Sequence, residues 1–126
     1  MVESLYDSLG GEPKLRAIID DFVERVFGDM MIGFFFANAD KERIKRFEFE
    51  HARQLLGGPG EYEGRSLRQA HASNPIRGGH FARRMTILRQ VLVAHGVAEA
   101  VRARWIEHDL GLAAEVTQDE LGECND

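Results

Sequence analysis

The chain has a single cysteine among its 126 residues, Cys124. That excludes an intramolecular disulfide framework and any zinc site built on cysteine pairs, and Cys124 is expected as an exposed tail residue. No run approaches the roughly 18 consecutive apolar residues that a membrane span requires. The first residues include Glu3 and Asp7, where an export signal needs a basic and then an apolar stretch, so a reducing cytoplasm is the expected address. No segment alternates well enough for a strand, and no repeat or linker is visible. Acids are missing from Gly64 to Ala98, while Arg65, Arg68, Arg77, Arg83, Arg84 and Arg89 all fall inside that stretch. The net charge of −5 excludes a general nucleic-acid binder. The local cationic zone reads either as a solvated face or as a site for a small anionic ligand.

What is present is the balance of one soluble globular domain, 44% hydrophobic and 29% charged. Helical periodicity dominates. Leu15, Ile18, Ile19, Phe22, Val23, Val26 and Phe27 repeat at i, i+3, i+4 and i+7, with Glu12 and Pro13 in the first turn. A short helix over Ser4 to Leu9 precedes it, and an aromatic loop, Phe34 to Phe36, follows. Asp40 caps a second long helix running to about Leu56, where Gly57-Gly58-Pro59 stops it. A short helix is predicted over Ser66 to His71, a third long one from Gly78-Gly79 to about Ala94, and a fourth over about Val97 to Glu115. The fold class is all-α.

The second long helix offers two possible inner faces. Ile44, Phe47, Glu48, His51 and Leu55 form one, and Phe49, Ala52 and Leu56 form the other. If the first is buried, Glu48 and His51 need partners. The third long helix carries Arg84 on its apolar stripe with Phe81, Met85 and Leu88, so a Glu48–Arg84 pair across two helices would satisfy both. The alternative is that both reach solvent at the edge of the core. Five histidines are present, at 51, 71, 80, 95 and 108, and none forms a tight metal-binding spacing. A single axial imidazole on haem iron needs no such spacing. His71, behind Leu67 with Ile76 and Phe81 downstream and Arg65 and Arg68 nearby, is the best candidate for that role.

The ordered segments LYDSLGGE (Leu5 to Glu12), DFVERVF (Asp21 to Phe27), Phe35-Phe36, LGGPGEYEG (Leu56 to Gly64), LRQAH (Leu67 to His71) and His80-Phe81 resemble the truncated haemoglobins. The compact hinge with Tyr62 is most similar to group I. The resemblance covers about Leu5 to Leu112. It implies a globin-like two-over-two helical sandwich over residues 1–116, followed by a loosely ordered acidic tail, 117–126. It implies haem b (iron protoporphyrin IX), with His71 as the proximal iron ligand. By position, Phe36 would pack against the haem face with Phe35 beside it, and Ile44, Glu48 and His51 would line the distal side or its edge. Tyr62 would close the pocket, and Leu67, Ile76 and Phe81 would border the haem. Arg43, with Arg68 and Arg77, would meet a propionate.

The chain departs from the family pattern on the distal side. Val23 stands where many members carry a tyrosine that donates to bound oxygen, Glu48 where a glutamine is frequent, and His51 where an aromatic residue is usual. Arg84 occupies a place usually apolar or aromatic. The expected function is binding of oxygen or another diatomic gas (NO or CO) at a His71-ligated iron, with a reductase as a further partner and a monomer or weak dimer as the assembly. The alternatives are haem-dependent peroxide or nitric oxide chemistry using the polar distal residues, His51 as a sixth iron ligand, and a haem-free globin-like sensor or binding module.

Overall fold

A computed structural model describes residues 4–59 and 78–111. Helix α1 spans Leu5–Leu9 and α2 spans Gly11–Phe27. A short 3-10 helix follows at Gly33–Phe36, then α3 over Lys41–Leu55 and α4 over Gly78–Ala94. A last helix, α5, begins at 99 and is described to 111. No strand occurs among the described residues. The all-helical expectation holds, with boundaries close to those the sequence predicts; the short helix expected over Ser66 to His71 and the acidic tail lie outside the described residues.

Helix α2 is the centre of the packing, in contact with α1, the 3-10 helix, α3 and α4. Its repeat places Leu15, Ile18, Ile19, Phe22, Val23 and Val26 in the core. Each such side chain contributes about 1.5–3 kcal/mol by leaving water. From α3 the core receives Phe49 and Ala52, from α4 Phe81, Met85, Ile87, Leu88, Val91 and Leu92, and from α5 Val101 and Trp105.

Helix ends are fixed by side chains and turns. The Ser4 hydroxyl accepts from the Asp7 N–H, and the Asp40 carboxylate from the Arg43 N–H, capping α1 and α3. At the end of α3, Gly57 adopts φ +79°, and the Gly58 N–H donates to the Arg53 carbonyl at 2.8 Å. This closure needs the left-handed backbone that glycine supplies. The Tyr6 N–H then donates to the Leu56 carbonyl, tying α1 to the end of α3.

Two expectations are corrected. The three consecutive phenylalanines belong to the 3-10 helix rather than to a loop. Asp29 sets this up, since its carboxylate accepts from the N–H groups of Met31 and Ile32 and its carbonyl accepts from the Gly33 N–H. The last helix starts two residues later than Val97 because the Val97 N–H closes the end of α4 on the Leu92 carbonyl.

Candidate functional site

The question of which face of α3 turns inward has a split answer. Phe49, Ala52 and Leu56 are the core face, while Ile44, Phe47, Glu48, His51 and Leu55 form a half-buried stripe beside it. Ile44 and Glu48 of that stripe border a cavity between α2, α3 and α4. Phe22, Val23, Val26, Phe27, Ile32 and Phe36 supply apolar walls, and Arg84 joins Glu48 as the polar part of the lining. The cavity volume is about 30 Å³, room for a water or two, or for a diatomic molecule.

The guanidinium of Arg84 organises the polar end. Its Nη2 donates to both Glu48 oxygens, at 3.0 and 3.3 Å, and its Nη1 donates to Asp109 Oδ2 at 3.3 Å. The same group lies over the rings of Phe22 and Phe81, 5.0 and 5.8 Å from their centroids. Burial works against its charge, but the carboxylates of Glu48 and Asp109 outweigh burial and raise its pKa above the ordinary guanidinium value. Asp109 is the reciprocal case. Burial pushes its carboxyl up, and the hydrogen bond with His51, the charge of Arg84 and the contact with His108 together hold it below the usual carboxylate value. The Glu48–Arg84 pair expected from the two helix patterns is therefore present, and it extends to a third partner.

Two arginines of the cationic zone, Arg83 and Arg84, are neutralised by acids. Arg83 pairs with Asp29 at 2.7 Å and Arg84 with Glu48 and Asp109, so the compensating acids come from elsewhere in the chain. Arg89 is exposed.

The expected site residues divide into three groups. Phe36, Ile44, Glu48 and Arg84 meet at the cavity. Phe35 lies nearby on the 3-10 helix, edge-on to His80 with ring centroids 4.5 Å apart, and Phe81 is buried beneath Arg84. His51 does not line the cavity; its Nε2 turns to Asp109 Oδ1 at 3.7 Å, and its ring lies 5.3 Å from that of His108. Arg43 is exposed and stacks over Phe47. Tyr62, Leu67, Arg68, His71, Ile76 and Arg77 lie outside the described residues.

Sequence reasoning passed over Asp109. The signal was available: Val101, Trp105 and Asp109 follow at i, i+4 and i+8, so a carboxylate ends an apolar stripe just as Arg84 interrupts another. His80 also went unassigned beyond its place in a motif; its Nδ1 is buried without a hydrogen-bond partner among the described residues.

A family model described as bacterial-like globin matches residues 4–117. The chain belongs to that family. It is 31% identical over 109 residues to the group 1 truncated haemoglobin of Tetrahymena pyriformis, covering 84% of this chain and 90% of that protein. It is 30% identical over 119 residues to the group 1 truncated haemoglobin GlbN of Mycolicibacterium paratuberculosis, covering 94% and 88%. Among solved structures, the haemoglobin of Chloroflexus aurantiacus superposes with a TM-score of 0.81 at 28% identity, over 91% of this chain and 98% of that one. The 2/2 haemoglobin of Synechococcus sp. PCC 7002, which carries covalently attached haem, superposes at 0.76 with 23% identity, over 92% and 99%. The helices described above are thus the two-over-two globin arrangement.

As a truncated haemoglobin the chain takes haem as its cofactor, and the described residues fit such a group. The half-buried stripe Ile44, Phe47 and Leu55, together with Phe35 and Phe36, offers apolar surface left partly uncovered by the core. The His80 Nδ1 beside Phe35, without a partner among the described residues, is a polar atom suited to the edge of a planar apolar ligand that carries polar groups.

Proposed function

We propose that the chain binds a diatomic gas on haem iron held by His71, with the cavity walled by α2, α3 and α4 as the distal side. Haem supplies an iron atom with one position for the protein and one for the gas. The observation that carries the reading is the cavity itself: a small, largely apolar space of diatomic size whose polar end is an ion pair. Val23 forms part of the wall and has no hydrogen to donate. Electrostatics therefore falls to Arg84, whose cation favours a partly negative ligand, and to Glu48, whose carboxylate opposes it. Because Arg84 is committed to Glu48 and Asp109, the wall presents a nearly neutral pair rather than a strong donor.

Peroxide chemistry has less support. It needs a base free to accept a proton in the cavity, and Glu48, the carboxylate there, is engaged by both of its oxygens. His51, a candidate for that role or for the second iron ligand, is turned toward Asp109 instead. A reductase returning the iron to the ferrous state and a cytoplasmic address remain part of the proposal.

The test of His71 is a cavity variant. His71→Gly is expected to lose tight iron ligation, and added imidazole to restore the ferric spectrum. A spectrum unchanged by the substitution would contradict the assignment.

A further inference from the structure

Asp109, His51 and His108 meet in the seam between α3 and α5, away from the cavity wall. Their donor atoms all lie within 4.8 Å of one another. Asp109 Oδ1 is 3.7 Å from His51 Nε2 and 3.4 Å from His108 Nδ1. The two contacts are hydrogen bonds at the long end of the range. Their lengths are close to the edge of a tetrahedron about zinc, which is about 3.4 Å when the metal–ligand bonds are about 2.0–2.1 Å. We propose that these three side chains form a divalent transition-metal site for which zinc is the best-matched ion, independent of the haem pocket.

The donor chemistry narrows the choice. Two imidazoles and one carboxylate suit zinc and its neighbours, whereas calcium and magnesium take oxygen donors. Three protein donors leave a tetrahedral fourth position for water. Access is graded: the Asp109 side chain is 3% exposed, while those of His51 and His108 are 21% and 28% exposed, so an ion enters from the imidazole side. Arg84 holds the other carboxylate oxygen, Oδ2, which orients Asp109 and leaves Oδ1 toward the imidazoles. Arg84 does not repel the ion outright, because Glu48 and Asp109 together outweigh it by one negative charge. Successive residues of a helix diverge by about 100°, so the approach of His108 to the same Asp109 oxygen that faces His51 is a specific side-chain arrangement rather than a consequence of sequence adjacency.

An ion here would clamp α3 to α5 and stabilise the folded chain through mass action. The experiment is calorimetric titration of zinc chloride into the full chain as purified, alongside thermal unfolding with and without zinc. One zinc per chain is expected, with a raised unfolding midpoint. His51→Ala and His108→Ala should each weaken binding by about 30-fold or more and abolish the rise in midpoint, while Cys124→Ser should change neither. Absence of saturable binding, or wild-type affinity for zinc in the two histidine variants, would overturn the proposal. Should either variant lose helix content, zinc-edge X-ray absorption of the wild-type complex decides. Two imidazole nitrogens in the shell uphold the site, and a shell with sulfur or with oxygen alone overturns it.

Discussion

At the residue scale the proposed distal chemistry turns on the balance between Glu48 and Arg84, which share one wall of the cavity. Coulomb attraction holds them together at 3.0 Å in a partly desolvated site, and the cavity feels the difference of two opposed charges. Glu48→Gln keeps the shape and removes one sign. The cation of Arg84 then faces the cavity less compensated, so the haem-loaded ferric protein should bind azide or cyanide about tenfold more tightly, equivalent to about 1.4 kcal/mol. Equilibrium titration followed at the Soret band measures this; an unchanged or weaker affinity would remove the pair from the distal wall. The Glu48–Arg84 pairing was legible because each residue breaks an apolar stripe on a helix whose period is clear. Asp109 was not read, since a single acid near the end of a pattern has the same appearance as a helix reaching solvent. Only packing against α3 and α4 separates the two.

At the element scale the 3-10 helix carries Phe35 and Phe36 to the site, and its position depends on a close approach. A Cβ on Gly33 would lie 2.5 Å from the Phe27 carbonyl oxygen, a backbone atom that cannot swing aside. Gly33→Ala should therefore cost about 2 kcal/mol by overpacking and displace the phenylalanines, seen as a lower unfolding midpoint together with faster haem loss. A midpoint within a degree or so of wild type would show that the segment is not tightly held. Most helices were legible from periodicity, Asp40, and the glycine pairs. The 3-10 helix was not, because its order comes from Asp29 bonding to the backbone ahead of it rather than from any repeat. The inner face of α3 stayed open for a related reason: both stripes contain apolar residues, and burial of Phe49 and Ala52 against α2 is a tertiary outcome.

At the scale of the whole molecule, acids drawn from distant segments hold the helices together, and this fixes the response to pH. Asp21 is held below its ordinary value by Arg25 one turn along the same helix and by His95 across the fold, Asp29 by Arg83 of α4, and Asp109 is lowered despite its burial. Groups with depressed folded pKa values stabilise the fold above their unfolded pKa, about 4, and that contribution is lost as pH falls through the folded values. The buried Asp109 carries most of it, since exposed pairs are screened. The far-UV unfolding midpoint should be level from pH 7 to about 5 and fall steadily below about 4. A midpoint unchanged down to about pH 3 would mean that these pairs do not contribute.

The family, the cavity and the half-buried aromatic surface support the proposed gas-binding haem; His71, the proposed proximal ligand, lies outside the described residues. The measurement that tests this most directly is the ferrous carbon monoxide difference spectrum of the hemin-loaded chain, recorded beside that of His71→Ala. The account predicts a Soret band that shifts sharply on adding the gas in the wild type, and loss of that signature in the variant. A wild-type spectrum without a Soret band after hemin is added, or a variant indistinguishable from it, would contradict the account.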